Sequence, residues 1–98
     1  MQFEGIYTPI ITPHSEVGAI DKKAFAEVVE FLIASGVHCI VVGGSTGEYY
    51  AQTAEERIEL MNFASEIISH RTLLMVGTGA TRTEDCVMFA KAAKETGA

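Results

Sequence analysis

Residues 43–48 read Gly-Gly-Ser-Thr-Gly-Glu, a run whose residue types and spacing could do chemistry. Its three glycines free the backbone to turn and to approach a ligand closely. Between them stand two hydroxyl side chains, Ser45 and Thr46, and successive N–H groups in such a turn can gather round a small anion such as a carboxylate. A Gly-rich turn from strand to helix would look the same, and spacing alone leaves both readings open. Residues 77–80, Gly-Thr-Gly-Ala, are the weaker candidate and read first as a turn. Nucleotide chemistry fits neither run. Glycines at 43, 44 and 47 do not make GxGxxG, Arg82 stands where the later run would need its third glycine, and no GxxxxGK[ST] occurs.

Metal chemistry lacks clustered ligands. His14, His38 and His70 group with nothing, and Cys39 and Cys86 lie among apolar residues, as buried reduced thiols do. Two cysteines in a chain of this hydrophobicity make no disulfide framework, so a cytoplasmic protein with no metal is expected.

The loops need a scaffold, and the chain repeats one pattern three times: an apolar run, a Gly- or Pro-containing turn, then a helix of 3.6-residue period. Strands are expected near 6–12, 38–42 and 72–76, and helices near 22–35, 54–69 and 82–96. The last two strands are unbroken aliphatic runs, as in a parallel sheet covered on both faces. The helical stripes are Phe25, Val28, Val29, Leu32 and Gly36, then Leu60, Phe63, Ala64 and Ile67, then Cys86, Phe89, Ala90, Ala93 and Gly97. Asp21 is the expected first N-cap and Gly36 the left-handed C-terminal cap. Thr53 with Glu56, and Thr81 with Glu84, have capping-box spacing.

Strand and helix alternating over short connections mean right-handed crossovers and a parallel sheet, an α/β fold. Roughly thirty residues per unit suits a (β/α)8 barrel and equally an open doubly wound sheet. Residues 95–98, Glu-Thr-Gly-Ala, resemble residues 34–37, Ala-Ser-Gly-Val, which lead into the second strand. Three units cannot close a barrel, and the third strand would be an unprotected edge. The expectation is therefore the first part of a larger protein.

Composition narrows the class. Hydrophobic residues make up 48% of the 98 and charged residues 20%, which excludes a disordered segment. The net charge of -6, with seven Lys and Arg spread along the chain, argues against nucleic acid and an anionic membrane surface. No apolar run is of membrane-spanning length, and the first five residues lack a signal-peptide pattern.

With the strand ending in Thr12-Pro13, GGSTGE after the second strand and GTGA after the third, the chain resembles the dihydrodipicolinate synthase and N-acetylneuraminate lyase family. The resemblance runs over essentially the whole chain. It implies that residues 1–98 are the N-terminal portion of one TIM-barrel domain, the first three βα units of a (β/α)8 barrel, incomplete as given. It implies a cytoplasmic, homotetrameric lyase or synthase of class I aldolase type, without metal or organic cofactor. A lysine would form a Schiff base with pyruvate or another 2-oxo acid, and an aldehyde would be added or released by aldol chemistry.

Carried over residue by residue, the family pattern puts the pyruvate carboxylate on Ser45 and Thr46, with Gly47 beside them, which agrees with the anion nest read from the loop itself. Ser45 takes the place of a proton-relay threonine and keeps its hydroxyl. Thr8 and Pro9 match the first-strand border of the site, Glu48 is expected to accept hydrogen bonds that hold the loop, and Tyr49 and Tyr50 are packing or subunit-contact residues. The departure is the nucleophile. A Schiff-base lysine belongs at a strand end in a dry pocket, whereas Lys22, Lys23, Lys91 and Lys94 all fall in expected helices. The lysine and the relay tyrosines are expected outside this chain, which alone should be inactive.

GGSTGE leans toward N-acetylneuraminate lyases and sugar-acid aldolases, while GTGA leans toward dihydrodipicolinate synthases, the slightly preferred group. Two other readings compete. One is a non-catalytic relative that binds a 2-oxo acid, and the other is a small open-sheet domain holding phosphate at residues 43–48.

Overall fold

The computed structural model describes residues 3–98. Asp21 stands outside the first helix in extended backbone, and its carboxylate accepts from the Ala24 N–H at 3.0 Å. That cap starts α1, Lys22–Ala34. The helix closes in a Schellman motif, with the Gly36 N–H donating to Ile33 O and the Val37 N–H to Leu32 O, and Gly36 at φ +85°. Helix α2, Ala54–Ile68, opens on the expected capping box. The Glu56 N–H donates to Thr53 Oγ1 at 3.1 Å, and the Thr53 N–H to Glu56 Oε1 at 2.9 Å.

Helix α3, Thr83–Thr96, departs from expectation. Its N-cap is Arg82, and no side chain caps it, so the Thr81–Glu84 capping box does not form. The helix starts one residue later than that box requires, with the Cys86 N–H already bonded to Arg82 O.

Strands β1 (Tyr7–Pro9), β2 (Cys39–Val42) and β3 (Leu73–Val76) form one parallel sheet in the order β1-β2-β3. Each strand is followed by a helix, so the described residues hold three consecutive βα units. The first strand is shorter than the expected 6–12. The Ile10 N–H still reaches Val41 O, but β2 turns off at Gly43 and leaves residues 11 and 12 without a partner strand.

Register sorts the side chains between two faces. Ile40 pairs with Thr8 and Leu74, and Val42 with Val76, on the side that carries the helices. Ile10, Ile40 and Val42 pack there with Phe25, Val29, Leu60, Ala64 and Ile68 into the main core. Each large side chain so buried contributes roughly 1.5–3 kcal/mol. A smaller cluster joins Met61, Phe89 and Ala93 under β3. The buried stripe of α2 runs Arg57, Leu60, Met61, Ala64 and Ile68, rotated from the expected one. Phe63 turns instead toward α1, its ring 6.1 Å from that of Phe25. On α3, Ala90 is exposed and Ala92 packs in its place, against the cluster that α3 shares with α2.

The opposite face carries Tyr7, Pro9, Cys39, Val41, Leu73 and Met75. Of these only Cys39 is buried, so the expectation that both faces of the last two strands are covered holds for most of β2 and not for β3.

Candidate functional site

The strands end where the glycines begin. Gly43, at φ +74°, turns the chain out of β2, and Gly77 lies directly against it. A Cβ on Gly77 would sit 2.3 Å from Gly43 O, so no other residue fits there without moving one of the two strand ends.

Two tight turns follow, closed by Gly47 N–H to Gly44 O at 3.1 Å and Glu48 N–H to Ser45 O at 3.0 Å. These bonds use the N–H groups of Gly47 and Glu48 and leave those of Ser45 and Thr46 without a partner among the described residues. The Ser45 and Thr46 hydroxyls are exposed and also unpartnered there. Four donors are thus presented together at one strand end, a set that can hold a carboxylate.

Gly47 is buried beneath them, packed so closely on Ile10 O and Thr12 Oγ1 that a Cβ would come within 3.1 Å of each. Thr12 is 4% exposed, and its hydroxyl has no hydrogen-bond partner. The loop therefore rests on the continuation of β1, with an unused hydroxyl at the contact.

The other residues singled out in the sequence are placed as follows. Pro9 lies on the open face in register with Val41, whereas Thr8 pairs with Ile40 on the helix side. Glu48 adopts a left-handed backbone at φ 57°, and its exposed carboxylate makes no hydrogen bond or ion pair among the described residues. The loop is tied by Gln52 instead, whose Nε2 donates to Gly47 O at 2.9 Å. Tyr50 is exposed, and Tyr49 lies 4.8 Å from the Arg57 guanidinium. Lys22, Lys23, Lys91 and Lys94 sit exposed on α1 and α3.

Sequence reasoning missed Gln52 and Arg57. Arg57 is only 7% exposed, and its guanidinium donates to Gly79 O at 2.8 Å and Gly77 O at 3.2 Å. It also lies 3.8 Å from the centre of the Phe89 ring. Burial lowers its pKa from the ordinary arginine value, with Tyr49 and Cys86 opposing, and an arginine so placed keeps its charge. One signal could have found it: Arg57 stands three residues before Leu60, a charge in step with an apolar stripe.

A cleft of about 440 Å³ opens beside Arg57, lined by Tyr49, Tyr50, Thr81, Asp85 and Phe89 among others, and it includes neither Ser45 nor Thr46. Burial raises the Cys39 thiol, partly offset by a bond from the Met75 backbone, so it remains an inert protonated group. Among the described residues no three His, Cys, Asp or Glu side chains gather as metal ligands, and no helix is long and apolar enough to cross a membrane.

Known proteins resemble the chain over nearly its whole length. Residues 2–98 match the Dihydrodipicolinate synthetase family. A 4-hydroxy-tetrahydrodipicolinate synthase of Desulfotalea psychrophila is 36% identical, over 99% of this chain and 32% of its own. An N-acetylneuraminate lyase of Rhizobium meliloti is 33% identical, again over 99% of this chain and 32% of its own. Among solved structures, a prophage protein of E. coli K12 from the dihydrodipicolinic acid synthase family, in complex with pyruvate, superposes with a TM-score of 0.96 at 32% identity. That match covers 100% of this chain and 33% of the other. The chain spans about a third of the length of the relatives it matches, which are TIM barrels. The family model matches residues 2–98 and the three-stranded parallel fold superposes on a solved member, so the chain belongs to the dihydrodipicolinate synthetase family.

Proposed function

We propose that the chain supplies the carboxylate-binding corner of a lyase that forms a Schiff base with pyruvate or another 2-oxo acid. The observation that carries this reading is the set of four unpartnered donors on Ser45 and Thr46 at the end of β2, with Gly47 seated beneath them and Pro9 on the neighbouring strand. The complex of a relative with pyruvate supports the choice of anion.

In this proposal the carboxylate of the 2-oxo acid accepts from the N–H groups and hydroxyls of residues 45 and 46, and its carbonyl carbon is turned toward a lysine. The amine adds to that carbon, and water leaves as the imine forms. The departing oxygen must receive protons, and the Ser45 hydroxyl passes them between neighbouring groups rather than acting as a base. The imine then withdraws electrons from the adjacent carbon, so an aldehyde can be added or released there.

All four lysines here lie on exposed helical surface, so the proposal takes the nucleophile and the relay tyrosines from a longer parent protein and expects residues 1–98 alone to be inactive. A cytoplasmic homotetramer acting without metal or organic cofactor completes the reading. The synthase and the N-acetylneuraminate lyase are nearly equally similar, so the aldehyde partner is proposed only as a class.

The test is intact mass spectrometry of the parent protein after pyruvate and borohydride. One reduced-imine adduct per chain is the expected result, and its absence would reject the Schiff-base reading. Pyruvate binding in calorimetry without an adduct would point to a non-catalytic relative.

A further inference from the structure

We propose that Arg57 is a positioning residue, a clasp that fixes the peptides at the end of β3 and, through them, the shape of the carboxylate-binding loop. The inference rests on the aldolase reading only for its kinetic consequence. Its structural part stands on the bonds of the guanidinium itself.

Arg57 occupies a core position in the stripe of α2, yet it forms no ion pair among the described residues. A buried cation without a carboxylate is costly, and an aliphatic residue would fill the same space without that penalty. What an aliphatic residue cannot do is bond two carbonyls two residues apart. The planar fork does so at Gly77 O and Gly79 O, while Phe89 and Tyr49 lie 3.8 Å and 4.8 Å from it.

Both flanks of the loop at residues 43–48 meet this clasp. Gly77 carries one of the bonded carbonyls and abuts Gly43, where the loop leaves β2. Tyr49 directly follows Glu48, where the loop ends. Fixing the Gly77 carbonyl also fixes its whole planar peptide, so the Thr78 N–H must point away from Arg57, and the Ala80 N–H does so by the same argument at Gly79. Neither of those N–H groups has a partner among the described residues. The clasp thus sets the orientation of two free donors as well as the seat of Gly43.

The experiment uses the full-length parent protein with Arg57→Gln and Arg57→Lys. Hydrogen exchange read by mass spectrometry should rise about tenfold at the bonded amides of Gly47, Glu48 and Gly77, with α1 unchanged. The KM for pyruvate should rise about tenfold with a smaller change in kcat, as expected when an interaction that shapes the binding loop is lost. Lysine keeps the charge but cannot bridge both carbonyls, so it should not rescue either readout. If glutamine prevents folding, the lysine variant decides.

Unchanged exchange and KM would overturn the proposal. Full rescue by lysine would overturn the fork, and a uniform rise in exchange through α1 would reduce Arg57 to a packing residue. If the wild-type protein traps no pyruvate, the aldolase reading fails, while the exchange data still decide the clasp.

Discussion

On one face of the sheet, Ile40 and Val42 meet α1 and α2 and are at most 1% exposed. On the other, Val41 and Met75 are half-buried, Pro9 is exposed and Leu73 is 44% exposed, although all these residues are equally apolar. The contrast teaches that the helices fix the strands from one side only, and that the functional loops sit at the rim rather than in the core. Substitutions should therefore separate stability from function according to the face and the end of the strand they touch.

The largest expected effect is on the covered face. Phe25→Ala should cost about 3–5 kcal/mol in denaturant unfolding of the parent protein, because a fully buried ring leaves a cavity. Leu73→Ser, on the open face, should also destabilise the parent protein, because the inner face of a closed barrel is a packed core. A negligible loss would show that this face of β3 stays uncovered there and would sharpen the contrast.

At the rim, Gly77→Ala drives a Cβ into Gly43 O. It should cost about 1–3 kcal/mol by melting and should also weaken pyruvate binding, since the strand ends must part. A stability loss with unaltered binding would separate the two glycine loops and weaken the account.

Thr53→Ala removes the capping box at the start of α2 and should cost about 1 kcal/mol, leaving the pyruvate dependence unchanged. The smallest effect is on pH dependence. Bonds from the Thr53 backbone and side chain hold Glu56 below the ordinary 4.5, and the Arg71 hydrogen bond does the same for Glu30. Folded-state values below the unfolded ones give stability that is present above pH 4.5 and is lost as pH falls through the depressed values. A melting series from pH 7 to pH 3 should show that decline, shallower in Arg71→Gln. No change of slope in the variant would show that the exposed Glu30–Arg71 pair contributes nothing.

The repeating order of strand and helix was legible in the sequence because periodicity and caps are local. Asp21, Gly36 and the Thr53–Glu56 box all form where their spacing places them. Thr81 and Glu84 have the same spacing and form no box, since spacing does not reveal that the helix begins one residue later. The length of β1 was not legible either, being set by where β2 turns away. The loop at residues 43–48 could be read from its glycines and hydroxyls. Arg57 and Gln52 could not, because their partners, Gly77, Gly79 and Gly47, come into reach only when the units pack.

The central claim is that the Ser45–Thr46 turn holds the carboxylate of a 2-oxo acid. It is tested most directly by the pyruvate concentration giving half-maximal borohydride trapping in the parent protein and in its Ser45→Ala/Thr46→Ala double variant. The account expects the midpoint to rise by about a hundredfold in the variant, the scale of losing two hydrogen bonds to a charged group, with the melting temperature unchanged. An unshifted midpoint in a folded double variant would contradict it and place the carboxylate elsewhere.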